Sequence, residues 1–232
     1  MTSSIPASSA RLSGSPPLQA VLLDMDGTLV NTEDFWWDAE VSVFAELGHQ
    51  LEEEWRQVVV GGPMTRSAGF LLEATSASIA LEELSVRLNE RFLERLDRGV
   101  ELMPGAQRLL TELRAHQVPT ALVSASHRVV IDRMLTSLGR EHFTHTVAGD
   151  ELRRTKPHPD PYLTAASVLG ADPRRCVVLE DTLTGVTSGE AAGCQVVAVP
   201  SVAPIDRSGG RTVVSSLEEV DLGMLRSLVT RS

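Results

Sequence analysis

Short runs of apolar, mostly β-branched and aliphatic residues alternate along this chain with stretches of helical periodicity, and that alternation constrains the fold more than any other feature. The runs are Ala20–Leu23, Thr120–Val123, His145–Ala148, Cys176–Leu179 and Gln195–Val199. Between them the apolar positions recur at helical spacing over about Ala106–His116, His127–Leu138, Pro161–Leu169 and Thr184–Ala192. Runs this apolar predict strands covered on both faces. Their alternation with helices predicts an α/β fold, a doubly wound, mostly parallel sheet. In such sheets the residues just past the carboxyl ends of the strands share one edge. Asp24, Ser124 and Asp181 each follow a proposed strand, so the pattern predicts that they converge.

The first interval breaks the rhythm. Helical periodicity runs over Glu33–Leu47, Glu53–Val59, Arg66–Ala77 and Ala80–Leu96, and Pro104-Gly105 then marks the return to alternation. This reads as an α-helical domain inserted over 33–100 into a core formed by 18–32 and 101–232. After Pro200 the chain is loop-like to about Gly210, with a short strand and a final helix expected beyond. The segment 1–17 is rich in Ser, Ala and Pro without an apolar stretch. It is expected to be a flexible tail and not a signal peptide, which points to the cytoplasm. No apolar run approaches membrane-spanning length.

A formal net charge of −10 disfavours nucleic acid and anionic lipid as partners. A small anion still binds where local donors or a metal outweigh a diffuse field. The two cysteines, Cys176 and Cys194, flank apolar runs and read as small buried hydrophobes, not as a disulfide framework or zinc site. A monomer is the default expectation.

Four segments carry chemistry. Asp24-Met25-Asp26-Gly27-Thr28 sets two carboxylates two residues apart at a strand end, on the same side. Gly27 permits a tight turn and Thr28 adds a hydroxyl, an arrangement suited to a nucleophile, a proton-transfer partner and a hard metal ion. Ser124-Ala125-Ser126 offers a hydroxyl and backbone N–H groups to an oxyanion. A plain N-cap is the competing role for Ser124, but Ser126 is better placed for that cap. In Thr155-Lys156-Pro157-His158-Pro159-Asp160-Pro161 the prolines stiffen a loop around Lys156, which suits a fixed cation better than a solvated one. His158 reads as a loop residue. Finally, Glu180-Asp181 ends the strongly apolar run Val177-Val178-Leu179, and oxygen ligands from different strand ends suit Mg2+.

In this order and with these residue types, the segments resemble the motifs of the haloacid dehalogenase superfamily of phosphotransferases. Asp24-x-Asp26-Gly27-Thr28 matches the first motif, Ser124 the second, Lys156-Pro157 the third and Glu180-Asp181-x-x-x-Gly185 the fourth. The helical insertion resembles the subclass with an α-helical cap, which includes phosphoglycolate phosphatase-like enzymes and β-phosphoglucomutase. The resemblance implies Asp24 as the nucleophile that forms an aspartyl-phosphate and Asp26 as general acid and base. It implies Gly27, Thr28, Ser124 and Ala125 around the phosphoryl group, with Lys156 balancing charge beside Asp24. Mg2+ would be held by Asp24, the backbone carbonyl of Asp26 and Asp181, with Glu180 either a further metal ligand or a residue that supports the ligands from behind. Dehalogenating members lack an acid at the position of Asp26, so phosphoryl transfer is expected.

Substrate choice rests with the insertion. β-Phosphoglucomutase carries a His where this chain has Trp36, which weighs against a mutase. Trp36 and Trp37 point about a hundred degrees apart on a helix, so one can pack the core while the other faces the site; Trp36 is the expected site residue. In the turn Gly61-Gly62-Pro63-Met64-Thr65-Arg66, Arg66 is a candidate substrate contact, or a surface arginine at a helix start. The reading that follows is a Mg2+-dependent phosphatase of a small phosphorylated metabolite such as a sugar phosphate. The alternatives are a β-phosphoglucomutase-like mutase and, from another class, a non-catalytic interaction protein on the same scaffold.

Overall fold

The computed structural model describes residues 18–59, 64–97, 99–201, 203–207 and 210–230. The proposed tail over 1–17 and most of the glycine-rich turn before Met64 lie outside the described residues. The central strand is β1 (Ala20–Leu23). After it come β2 (Val30–Asn31), then α1 (Glu33–Glu46), α2 (Arg56–Val59), α3 (Met64–Thr75) and α4 (Leu81–Leu96). From β3 (Glu101–Leu102) onward strand and helix alternate: α5 (Ala106–Ala115), β4 (Thr120–Val123), α6 (Arg128–Leu138), β5 (His145–Val147), α7 (Asp160–Val168), β6 (Cys176–Glu180), α8 (Leu183–Ala191), β7 (Gln195–Ala198), β8 (Thr212–Val213) and α9 (Leu222–Thr230).

Six strands form one parallel sheet in the order β5-β4-β1-β6-β7-β8. β1 therefore lies between β4 and β6. Successive side chains on a strand point to opposite faces, and both faces are covered. Val21, Leu23, Leu122, Val177 and Leu179 enter one core cluster, whereas Ala20, Leu22, Ala121, Val123 and Val178 enter the other. Burial on both sides is why these runs are continuously apolar. Cys176 and Cys194 are buried free thiols. No helix among the described residues is long and apolar enough to cross a membrane.

The predicted strands and helices of the sheet region fall within about a residue of the observed ones. The insertion differs more. The stretch predicted as a helix over Glu53–Val59 is a 3-10 turn, Glu53–Trp55, followed by the short α2, and α3 begins earlier and ends earlier than its periodicity suggests. The antiparallel ribbon of β2 and β3 was not predicted. It pairs Val30 with Leu102 and Asn31 with Glu101 at the point where the chain leaves and re-enters the core. Two-residue strands have no period to read.

Within the insertion α1 and α4 run antiparallel. Arg95 stands over the Phe35 ring at the start of α1, while Arg91 pairs with Glu46 at its end. Phe35, Trp37, Val43, Phe44, Leu84, Leu88 and Phe92 are buried in a cluster continuous with one face of the sheet. Among them sits one acid, Glu40, only 4% exposed. Burial pushes its carboxyl from the ordinary 4.5 up to about 8, so the folded state holds this proton more tightly than the unfolded chain does. Stability must then fall as pH rises from about 4.5 to 8, with the full cost present above the folded value. The expected outcome is that Glu40→Gln gains on the wild type as pH is raised: urea denaturation at pH 5 and pH 8.5 should give a free-energy difference more favourable to the variant at the higher pH. Equal differences at both pH values would contradict this.

Candidate active site

Three adjacent strands deliver acids and hydroxyls to one edge. Asp24 follows β1, Ser124 follows β4, and Glu180 closes β6 with Asp181 just beyond. Lys156 reaches this point from the loop before α7. Its Nζ donates to Asp24 Oδ1 at 2.5 Å, to Glu180 Oε1 at 2.5 Å and to the Val123 carbonyl at 2.9 Å. All three ammonium protons are thereby used. Lys156 is 5% exposed, and the Tyr162 ring lies 5.1 Å from its charge.

The electrostatics follow from burial. Desolvation first, then the charge of Glu180, push the Asp24 carboxyl up to about 7 against the pull of Lys156. Burial and the neighbouring Asp24 and Glu180 likewise raise Asp181. Burial works against the charge of Lys156, but Asp24 and Glu180 outweigh it and the lysine holds its proton more tightly than free lysine. Three buried carboxylates thus lie around one ammonium, which bonds to two of them. Asp24, Glu180 and Asp181 each offer an oxygen within 4.8 Å of the others. An all-oxygen, charge-excess set of this kind can hold a hard divalent cation.

The members of the set are not equally free. Glu180 Oε1 accepts from Lys156 and, at 2.7 Å, from the Tyr162 hydroxyl. Its Oε2 accepts from the backbone N–H groups of Asp181 and Thr182 and from the Thr182 hydroxyl. Asp181 accepts from Thr28 Oγ1 at 3.3 Å and Ser201 Oγ at 2.5 Å. It does not cap the following helix; Thr182 does, accepting from Gly185 N–H.

Two motif glycines have a steric reason. Gly27 has φ +78°, and a Cβ there would stand 2.1 Å from Asp181 Oδ2. At Gly185 a Cβ would stand 1.7 Å from Glu180 Oε1.

Asp26 is half-buried and belongs to a separate network. Its Oδ1 accepts from Thr32 Oγ1 at 2.7 Å and Trp36 Nε1 at 3.4 Å; its Oδ2 accepts from Ser124 Oγ at 3.1 Å and Ser126 Oγ at 2.8 Å. One donor, Trp36, comes from the insertion, one, Thr32, from the last core residue before it, and two follow the end of β4. Trp36 also stacks on Phe92 at 4.1 Å, whereas Trp37 is buried in the core. Ser126 is not the helix cap that its position suggests. His127 occupies the N-cap of α6 without a side-chain cap bond, and Asp150 accepts from Arg128 N–H instead. Ala125 is half-buried beside Ser124. Arg66 is exposed on α3 and makes no hydrogen bond or ion pair among the described residues. His158 pairs with Asp160 and stands in the loop.

The residues that sequence reasoning missed are Thr32, Ser126, Tyr162 and Ser201. For Ser126, Tyr162 and Ser201 the partner lies 18 to 100 positions away, which leaves no local signature, and Thr32, 6 positions from Asp26, reads only as the residue before a helix. Only the adjacency of Ser126 to Ser124 offered a hint.

The chain belongs to the haloacid dehalogenase-like hydrolases, whose family model matches residues 21–199. It is 35% identical over 184 residues to the bifunctional riboflavin kinase/FMN phosphatase of Arabidopsis thaliana, covering 78% of this chain and 48% of that protein. The chain thus spans about half the length of that relative. It is 32% identical over 190 residues to the (DL)-glycerol-3-phosphatase 2 of the same plant, covering 78% of each. Among solved structures, a mutant of CbbY from Rhodobacter sphaeroides in complex with xylulose-(1,5)-bisphosphate matches with a TM-score of 0.82 at 26% identity, covering 90% of this chain and 99% of that one.

Removing the shared cation leaves two buried carboxylates facing each other. Breaking a buried pair in this way costs roughly 3–5 kcal/mol. Lys156→Met is therefore expected to lose about that much at pH 7.5, and less at pH 5.5 where Asp24 is protonated, as read by urea denaturation. A loss well under 1 kcal/mol at both pH values would show that the ammonium does not hold this edge together.

Proposed function

We propose that this protein is a Mg2+-dependent phosphatase that hydrolyses a small phosphomonoester through a phosphorylated Asp24. The observation that carries the reading is that two carboxylates two residues apart are held by separate networks: Asp24 by a buried cation, and Asp26 by hydroxyls and an indole. One carboxylate is poised as a nucleophile, the other as a proton carrier.

In the proposed reaction Lys156 fixes Asp24 through Oδ1, and the other carboxylate oxygen attacks phosphorus. The bond to the substrate's alcohol oxygen breaks, and Asp26 gives that oxygen its proton. Asp26 then takes a proton from a water, which attacks the phosphorus of phospho-Asp24 and releases inorganic phosphate. The hydroxyls of Ser124, Ser126 and Thr28, with the backbone N–H of Ala125, would orient the phosphoryl oxygens, whereas the Gly27 N–H is donated to the Val30 carbonyl at 2.9 Å. Lys156 offsets the charge that accumulates on them.

Asp24, Asp181 and the backbone carbonyl of Asp26 would hold Mg2+. When bound it supplies positive charge to the phosphoryl oxygens. Because both oxygens of Glu180 are already engaged, its proposed task is to position Lys156 and the Asp181 backbone, not to ligate. The helices over 33–100 serve as a cap on the core of 18–32 and 101–232. Trp36 contributes an apolar wall, and Arg66 on α3 is a substrate contact when the cap is closed. Family membership and the phosphatase names of the relatives support this reading over the mutase, although β-phosphoglucomutases are among the solved structures that share the fold.

The test is phosphate release from sugar phosphates, glycerol phosphate, phosphoglycolate, nucleotides and flavin phosphate, with and without chelator. Release that needs Mg2+ and falls by ~10³-fold or more in Asp24→Asn is the expected result. Exchange of hexose phosphate isomers without net release would replace the phosphatase with a mutase. Tight binding of a partner protein with no turnover of any ester would replace both with a scaffold.

A further inference from the structure

Among the described residues of the insertion, two buried side-chain oxygens have no partner: Oε2 of Glu40 and Oδ1 of Asn89. Glu40 is 4% exposed and Asn89 is 7% exposed. Leaving such atoms sealed from water and unpaired is costly, and an apolar side chain in either place would avoid that cost.

Their position is not arbitrary. Glu40 lies one turn beyond Trp36 on the same face of α1, and Asn89 lies one turn before Phe92 on α4. The two helices are antiparallel and Trp36 stacks on Phe92, so both orphan acceptors occupy the next layer above that stack. The layer is tied to the catalytic edge on both sides. Trp36 donates to Asp26. The Asn89 side-chain amide nitrogen lies 2.9 Å from His127 Nδ1, one residue after Ser126, which also donates to Asp26.

We propose that Glu40 and Asn89 bind hydroxyl groups of the leaving alcohol, and hence that the substrate is a phosphomonoester of a sugar or polyol. This rests on the phosphatase reading and names its substrate class. A hydroxyl both donates and accepts, so neighbouring hydroxyls can satisfy the two orphan oxygens as the insertion closes over the substrate. A carboxylate has acceptors only and would meet Asn89 Oδ1 acceptor to acceptor. A purely apolar leaving group would leave both atoms as they are. The Trp36–Phe92 stack supplies the flat apolar surface against which the C–H face of a sugar packs.

The test compares kcat/KM for glucose 6-phosphate and glycerol 3-phosphate with that for p-nitrophenyl phosphate, whose leaving group has no further hydroxyl. In Glu40→Leu and in Asn89→Leu the polyol-to-aryl ratio should fall about tenfold or more, through KM, with Glu40→Gln intermediate. The same ratio unchanged within about twofold in both leucine variants would overturn the assignment. A second arm does not depend on turnover. In the Asp24→Asn background, calorimetric titration should show the affinity for the polyol phosphate, relative to inorganic phosphate, falling by a similar factor when Glu40→Leu is added. An unchanged relative affinity overturns the assignment there too. Wild-type protein that hydrolyses no ester, p-nitrophenyl phosphate included, sinks the phosphatase reading itself, and the titration still decides the role of Glu40.

Discussion

One ammonium group ties the catalytic edge together. Lys156 bonds to the residue after β1, to the last carbonyl of β4 and to the last side chain of β6. Those are the three central strands of the sheet. Each of its partners carries negative charge or a dipole that would be expensive to bury alone. The strand ends are thus drawn to a common point by the same interaction that offsets the burial of Asp24. The rest of the edge depends on this: Glu180 can stand beside Asp24 because the cation stands between them, and Tyr162 is needed because one oxygen of Glu180 has a lone pair to spare.

The sheet was legible in the sequence because its code is local. Both faces of each strand are buried, so the apolar runs are unbroken, and the helices between them carry their own period. The convergence of Asp24, Ser124 and Asp181 was legible for the same reason, since it follows from which residues end the strands. What escaped was contact through space. Nothing around Tyr162 distinguishes its hydroxyl from that of any tyrosine at a helix start. Ser126 carries the local signature of a helix cap and has another partner. In the insertion the helical period located the long helices but not the 3-10 turn, which is too short to repeat. Glu40 is invisible to pattern reading because an acid at a helical position is taken to face water.

Trp36 and Trp37 show how one residue of offset separates two tasks. Trp37 contributes to the packing that makes the insertion solid, and Trp36 carries that solidity to Asp26. Asp26, the proposed proton carrier, is therefore held jointly, by hydroxyls of the core and by an indole of the insertion. Any shift of the helices relative to the sheet changes the indole bond to Asp26 and none of the bonds to Asp24. Asp24 and Asp26, the proposed nucleophile and proton carrier, are neighbours in sequence but answer to different parts of the molecule.

The ribbon of β2 and β3 gives the helical insertion a particular mechanical character. Strands paired in this way lie about 5 Å apart, so some seventy residues depart and return through a gap no wider than an ordinary hairpin. To the sheet, the insertion is topologically a long loop on a closed neck. The pairing fixes where the insertion leaves the core and where it returns. The neck also insulates the register of the sheet from the length and sequence of what hangs beyond it, so the helices above can be remodelled, or exchanged wholesale, without retuning the strands that hold the reacting groups.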